Sequence, residues 1–73
     1  MTTSQIREKA EELGARGIDA RTITVNFECA QGRPLNPEEA AAVIDGWRAS
    51  APARHQRYRD KAQEAADAVR SGG

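Results

Sequence analysis

A chain of 73 residues is long enough for one domain with a small core, and half of its 28 hydrophobic residues are alanine. Only ten are Leu, Ile, Val or Phe, while 11 basic and 11 acidic residues cancel. That balance argues against a disordered tail and for a thin-cored folded domain that gains from a partner chain, so a homo-oligomer or an obligate partner is expected.

No apolar run approaches the length of a membrane span, and Met1-Thr2-Thr3-Ser4-Gln5 lacks the start of a signal peptide, so no membrane association and a cytoplasmic location are expected. One cysteine and one histidine make neither an internal disulfide nor a four-ligand zinc site. No nucleophile, base and orienting group fall at a suggestive spacing, and no Gly-rich phosphate loop follows a strand. A non-enzymatic protein is therefore expected, with no metal, no cofactor and no small-molecule substrate.

In chain order, Thr2 and Gln5 suit a capping box, and Ile6, Ala10 and Leu13 repeat at helical spacing. This predicts a helix over 3–14, with Gly14 and Gly17 as stop and turn. The segment 21–28 is ambiguous. Arg21-Thr22-Ile23-Thr24-Val25-Asn26-Phe27-Glu28 alternates polar and apolar residues and is β-branched, as in a half-buried strand. Ile23, Phe27 and Ala30 also fall at i, i+4 and i+7, with Asp19 placed to cap a helix.

Asn36-Pro37-Glu38-Glu39 is the clearest helix start, combining cap, first-turn proline and a glutamate three residues on. It opens a helix over 37–49 with Ala40, Val43, Ile44 and Trp47 on one face and Trp47 as core anchor. Ser50-Ala51-Pro52 breaks that helix, and good helix formers continue over 52–70. The apolar face there is poor (Tyr58, Ala62, Ala65, Ala66 and Val69), which suits close packing against another helix. Residues 1–70 are read as a single small domain and 71–73 as a frayed tail. Cys29 is read as a small buried or edge residue, and His55 as a surface or packing residue.

Gly17-Ile18-Asp19-Ala20-Arg21-Thr22-Ile23 resembles the turn and recognition-helix start of helix-turn-helix proteins. Glu28, Gly32-Arg33-Pro34, the Ala41-to-Ile44 helix and Gly46-Trp47 are similar to the later part of Cro-like helix-turn-helix DNA-binding domains. The resemblance covers about residues 14–47. It departs from the family by one extra residue between Ile23 and Glu28, which turns the helix about 100° out of phase, and by having one helix, not two, ahead of the turn.

The resemblance implies a mainly α fold, a small bundle of three or four short helices with a helix-turn-helix-like centre. It also implies a DNA-binding regulator of the size encoded by phages and mobile elements. Ala20, Arg21, Thr24 and either Val25 or Glu28 would face the major groove, on the side away from Ile23 and Phe27, and Arg33 would clamp a phosphate. On the residues alone, Thr22, Thr24 and Asn26 read equally as the wet face of a strand. The alternative fold is then α+β, with a short strand or hairpin at 21–35 between the helix 3–14 and the helices 37–49 and 52–70.

Charge gives a further surface. Arg54, Arg57 and Lys61 form a stripe at i, i+3 and i+7, read as lying opposite Tyr58, Ala62 and Val69 and suited to a phosphate backbone. The alternative function is a protein-binding adaptor or inhibitor acting through a helix or hairpin surface without nucleic acid.

Overall fold

Among the described residues, four helices account for most of the chain: α1 (Thr3–Ala15), α2 (Ala20–Gln31), α3 (Pro37–Ala49) and α4 (Ala51–Gly72). This is a computed structural model, and it describes residues 1–72. The mainly α bundle is the architecture found. Among the described residues there is no strand, so the hairpin alternative at 21–35 is overturned.

Local hydrogen bonding explains where each helix begins and ends. Thr2 and Gln5 close a capping box on α1, and Asn36 and Glu39 close one on α3. Asp19 Oδ1 accepts the Thr22 N–H at 2.7 Å to start α2. At the end of α1, Ile18 N–H donates to Leu13 O at 3.2 Å and Gly17 N–H to Gly14 O at 2.9 Å. With Gly17 at φ +94°, this is a Schellman turn. Gly32, at φ +70°, ends α2 in the same left-handed region.

These caps, with Ile23 and Phe27 both buried, explain why 20–31 is helical although its β-branched residues favour a strand. A strand would place Ile23 and Phe27 on one face too, but no second strand is available to pair with its backbone. The α-helix pairs that backbone within itself.

The core comprises Ile6, Ala10, Ile23, Phe27, Ala42 and Val43, with Leu13, Ile18, Leu35 and Trp47 packed around it. Its centre is the contact between α1 and α3. Gly46 lies directly against the Arg7 carbonyl, Ala10 and Glu11, while Gly14 lies against Ser50 and Trp47. Later residues of α1 thus meet later residues of α3, so the two helices run parallel. Parallel neighbours need a return crossing, and α2 supplies it.

The face of α3 turned inward is Glu39, Ala42, Val43, Gly46 and Ser50, rotated from the expected Ala40–Val43–Ile44–Trp47 face. Ile44 is exposed and Trp47 only partly buried. The reason is steric: the smallest side chains let the backbones approach, so the contact follows small residues more than large ones. Gly14, expected as a stop, is one of them. Cys29 and Ala30 are exposed on a helix, which corrects the reading of Cys29 as a small buried or edge residue and of Ala30 as part of the packed face.

The α3–α4 break is a single residue. Ser50 has near-helical angles, and Pro52 cannot continue the hydrogen-bond ladder, so α4 leaves α3 almost end to end. Twenty-two residues at 1.5 Å each make α4 about 33 Å long. No residue of α4 is buried. The molecule therefore measures 52 × 20 × 14 Å, with a radius of gyration of 15.8 Å, against about 11 Å for a rounded chain of this length. α4 extends through Ser71 and Gly72, two residues past the expected helix end; Gly73 lies outside the described residues.

Helix propensity alone makes Gly→Ala favourable by about 1 kcal/mol inside a helix. At Gly46 the added Cβ would collide with the Arg7 backbone, which cannot swing aside. Gly46→Ala is expected to destabilise by about 1–3 kcal/mol, the range for an overpacked core, and urea denaturation followed by circular dichroism will measure it.

Candidate nucleic-acid interface

The parallel packing of α1 and α3 brings the C-terminal end of α1 to the base of α4. There Arg16 and Gly17 from the Schellman turn join Arg54, Arg57, Tyr58 and Lys61 around an open depression of about 180 Å³. Four cations and a phenol line it, with no carboxylate among the lining residues. The α1 C-terminus contributes partial negative charge, which favours a cation such as Arg16 there. Arg16 is also held by Glu12, with Nη2 to Oε1 at 2.9 Å.

Arg54 is fixed in place. Its guanidinium lies 3.9 Å from the centroid of the Trp47 ring, and Nη1 donates to Trp47 O and to Ser50 Oγ, each at 3.0 Å. Ser50 Oγ–H in turn donates to Trp47 O at 2.6 Å. Arg54 therefore braces the α3–α4 joint and presents only part of its fork outward. Arg57 and Lys61 form no ion pair among the described residues. Tyr58 lines the same depression as Arg57 and Lys61, so the basic stripe is beside Tyr58 and not opposite it.

The expected reading face of α2 is only partly presented. Arg21 is exposed, whereas Ala20 and Thr24 are half-buried, and the Thr24 hydroxyl donates to Ala20 O at 2.9 Å. The outward face consists of Arg21, Thr22, Val25, Asn26 and Cys29. A helix turns 100° per residue, which carries Ala20 and Thr24 round beside Phe27.

Arg33 lies elsewhere. Its Nη1 and Nη2 grip the Glu39 carboxylate at 2.8 and 3.0 Å, and Nη1 also reaches Pro34 O at 3.1 Å. Glu39 is 5% exposed and additionally accepts from Asn36 N at 3.0 Å and Gln31 Nε2 at 3.3 Å. Glu28 supports the same loop by accepting the Leu35 N–H at 3.1 Å. Arg33 thus clamps a carboxylate, about 16 Å along α3 from Ser50, counting eleven residues from Glu39. Sequence reasoning missed Arg16 and Tyr58. The step from Arg16 to α4 spans almost forty residues, and only the tertiary packing closes it.

The Arg33 hydrogen bonds, followed by the Asn36 backbone N–H, pull the Glu39 carboxyl down to about 2 against the opposing effect of burial. Asp19 is lowered too, chiefly by its bond to the Thr22 backbone.

No protein-family model, curated protein or solved structure matches this chain.

Two outcomes follow from these geometries. A depressed carboxyl stabilises the fold above its ordinary value of 4.5, and that contribution is lost as pH falls from there towards about 2. Urea midpoints recorded across that window should drop steeply, and Glu39→Gln should flatten the drop while lowering stability at neutral pH. Arg54→Ala should destabilise by about 1 kcal/mol, the scale of a partly exposed cation–π contact, and shift the emission of Trp47, the chain's one tryptophan.

Proposed function

We propose that this is a small, non-enzymatic DNA-binding regulatory protein acting in the cytoplasm. In this reading α2 presents Arg21 to base edges, and the depression at the base of α4 holds backbone phosphate through Arg16, Arg57 and Lys61, with Arg54 as the braced rear wall. The observation that carries it is the meeting of the turn ahead of α2 and the basic stripe of α4 in one concavity without a carboxylate in its lining. A guanidinium fork matches phosphate bidentately, and the open shape admits a backbone that passes through. Local charge governs such contact, so a net charge of zero does not oppose it.

A second reading, a protein-binding adaptor or inhibitor, is favoured by one observation: Tyr58 and Val69 stand 73% and 75% exposed on α4. The hairpin form of that reading has no strand to act through.

The test is anisotropy of a labelled duplex at several salt concentrations. Arg57→Ala and Arg16→Ala should each weaken binding to all sequences about equally, by roughly tenfold, and make the salt slope shallower by about 0.9 per lost phosphate contact. Arg21→Ala should instead alter preference among sequences, and Arg33→Ala should lower the stability of the fold but leave the affinity of the folded protein unchanged. Binding indifferent to Arg16, Arg57 and Arg21 would overturn the reading.

A further inference from the structure

The uncovered face of α4 has a regular pattern. Tyr58, Ala62, Ala65 and Val69 follow one another at intervals of four, three and four residues, the spacing of a two-helix seam, and all four are exposed. Tyr58 meets the edge of the basic depression, while the rest of the seam has no neighbour in the bundle, since α4 buries none of its residues.

We propose that α4 pairs antiparallel with α4 of a second copy of this chain. Three features of the helix select that occupant. The first is self-complementarity. Under a two-fold axis between Gln63 and Glu64, Tyr58 meets the second copy's Val69, and Ala62 meets its Ala65. The larger side chains then close both ends, and alanine at the centre permits close approach of the axes.

The second is charge. Arg54 to Lys61 contains four basic residues and one acidic, whereas Ala62 to Gly72 contains two acidic and one basic. Antiparallel pairing sets the basic half against the acidic half; parallel pairing superposes like halves and brings Arg54 towards the second copy's Arg59. The third is the flanks of the seam. Arg59 and Lys61 border it in the first half, Ala66 and Ala68 in the second. Antiparallel geometry lays the aliphatic stems of Arg59 and Lys61 over the second copy's Ala66 and Ala68, with the charged ends reaching water.

Such a pair joins the two bundles through their projecting helices and leaves α2 of each copy outward. It does not depend on DNA binding, and its test contains no nucleic acid. Sedimentation equilibrium of the full chain should show a concentration-dependent dimer. Ala65→Glu, which puts a carboxylate at the centre of the seam and touches nothing in the bundle, should weaken it at least tenfold while helicity and Trp47 emission stay as in the parent. Gln63→Glu, the same charge change on the far side of α4, should have no effect.

Orientation is read from Ala68. In the antiparallel pair Ala68→Glu meets the second copy's Lys61 and tightens the dimer, whereas Ala68→Lys loosens it; a parallel pair gives Ala68 no charged partner. A chain that stays monomeric at millimolar concentration, as it would if another protein covered this face, overturns the proposal. So does association unmoved by Ala65→Glu. Equal effects of the two Ala68 variants overturn the antiparallel arrangement.

Discussion

Backbone contact between α1 and α3 is the constraint on which the other features depend. Gly46 admits the Arg7 carbonyl and Ala10, and Gly14 admits Ser50, so the two helices approach closely at these two points. A thin core can be stable under these conditions because close-packed atoms gain dispersion contacts even where the side chains are small. With only ten Leu, Ile, Val and Phe residues in the chain, close approach replaces bulk. The same contact dictates topology: parallel α1 and α3 require α2 to cross back, and the end of α1 arrives at the start of α4.

Charged residues act within the fold at both ends of α3. Glu39 gathers donors from Arg33, Asn36 and Gln31, tying the end of α2 and the following loop to the start of α3. A carboxylate at 5% exposure would be costly without such partners, and it is fully supplied here. At the other end of α3, Arg54 stacks on Trp47 and caps its carbonyl, which stiffens the joint from which α4 projects. Arg33 and Arg54 thus make internal contacts and Arg16 pairs with Glu12, while Arg21, Arg57 and Lys61 are exposed and form no ion pair among the described residues. Which arginines are structural follows from the carbonyls and carboxylates within reach, not from arginine content.

The projecting α4 gives the molecule two regions with different physics. The bundle holds the buried side chains, and α4 holds an exposed apolar seam bordered by charge. The basic depression sits at their junction, where Arg16 is brought from the first helix to Arg57 and Lys61 of the last. Pairing two copies through the seam would set two such depressions on one particle, so oligomer formation and phosphate contact would be linked by geometry while remaining separately measurable.

Local sequence determined where the helices start and stop. Thr2 with Gln5, Asp19, Gly17, Gly32 and Asn36 with Glu39 act through hydrogen bonds between residues a few positions apart, and such bonds need no knowledge of the fold. That is why the helices at 3–14 and 37–49 were legible nearly to the residue and why the α4 stripe could be located. The segment 20–31 was not settled in this way, because its β-branched residues favour a strand and only the caps and the burial of Ile23 and Phe27 favour a helix. Tertiary structure decided that choice. It also decided the face of α3 turned inward, the engagement of Arg33 by Glu39 and the approach of Arg16 to α4. The inward face of α3 and the approach of Arg16 depend on two backbones meeting across Gly46 and Gly14, about 36 residues away from their partners, and a glycine that ends a helix and a glycine that admits a neighbouring backbone look the same in a sequence.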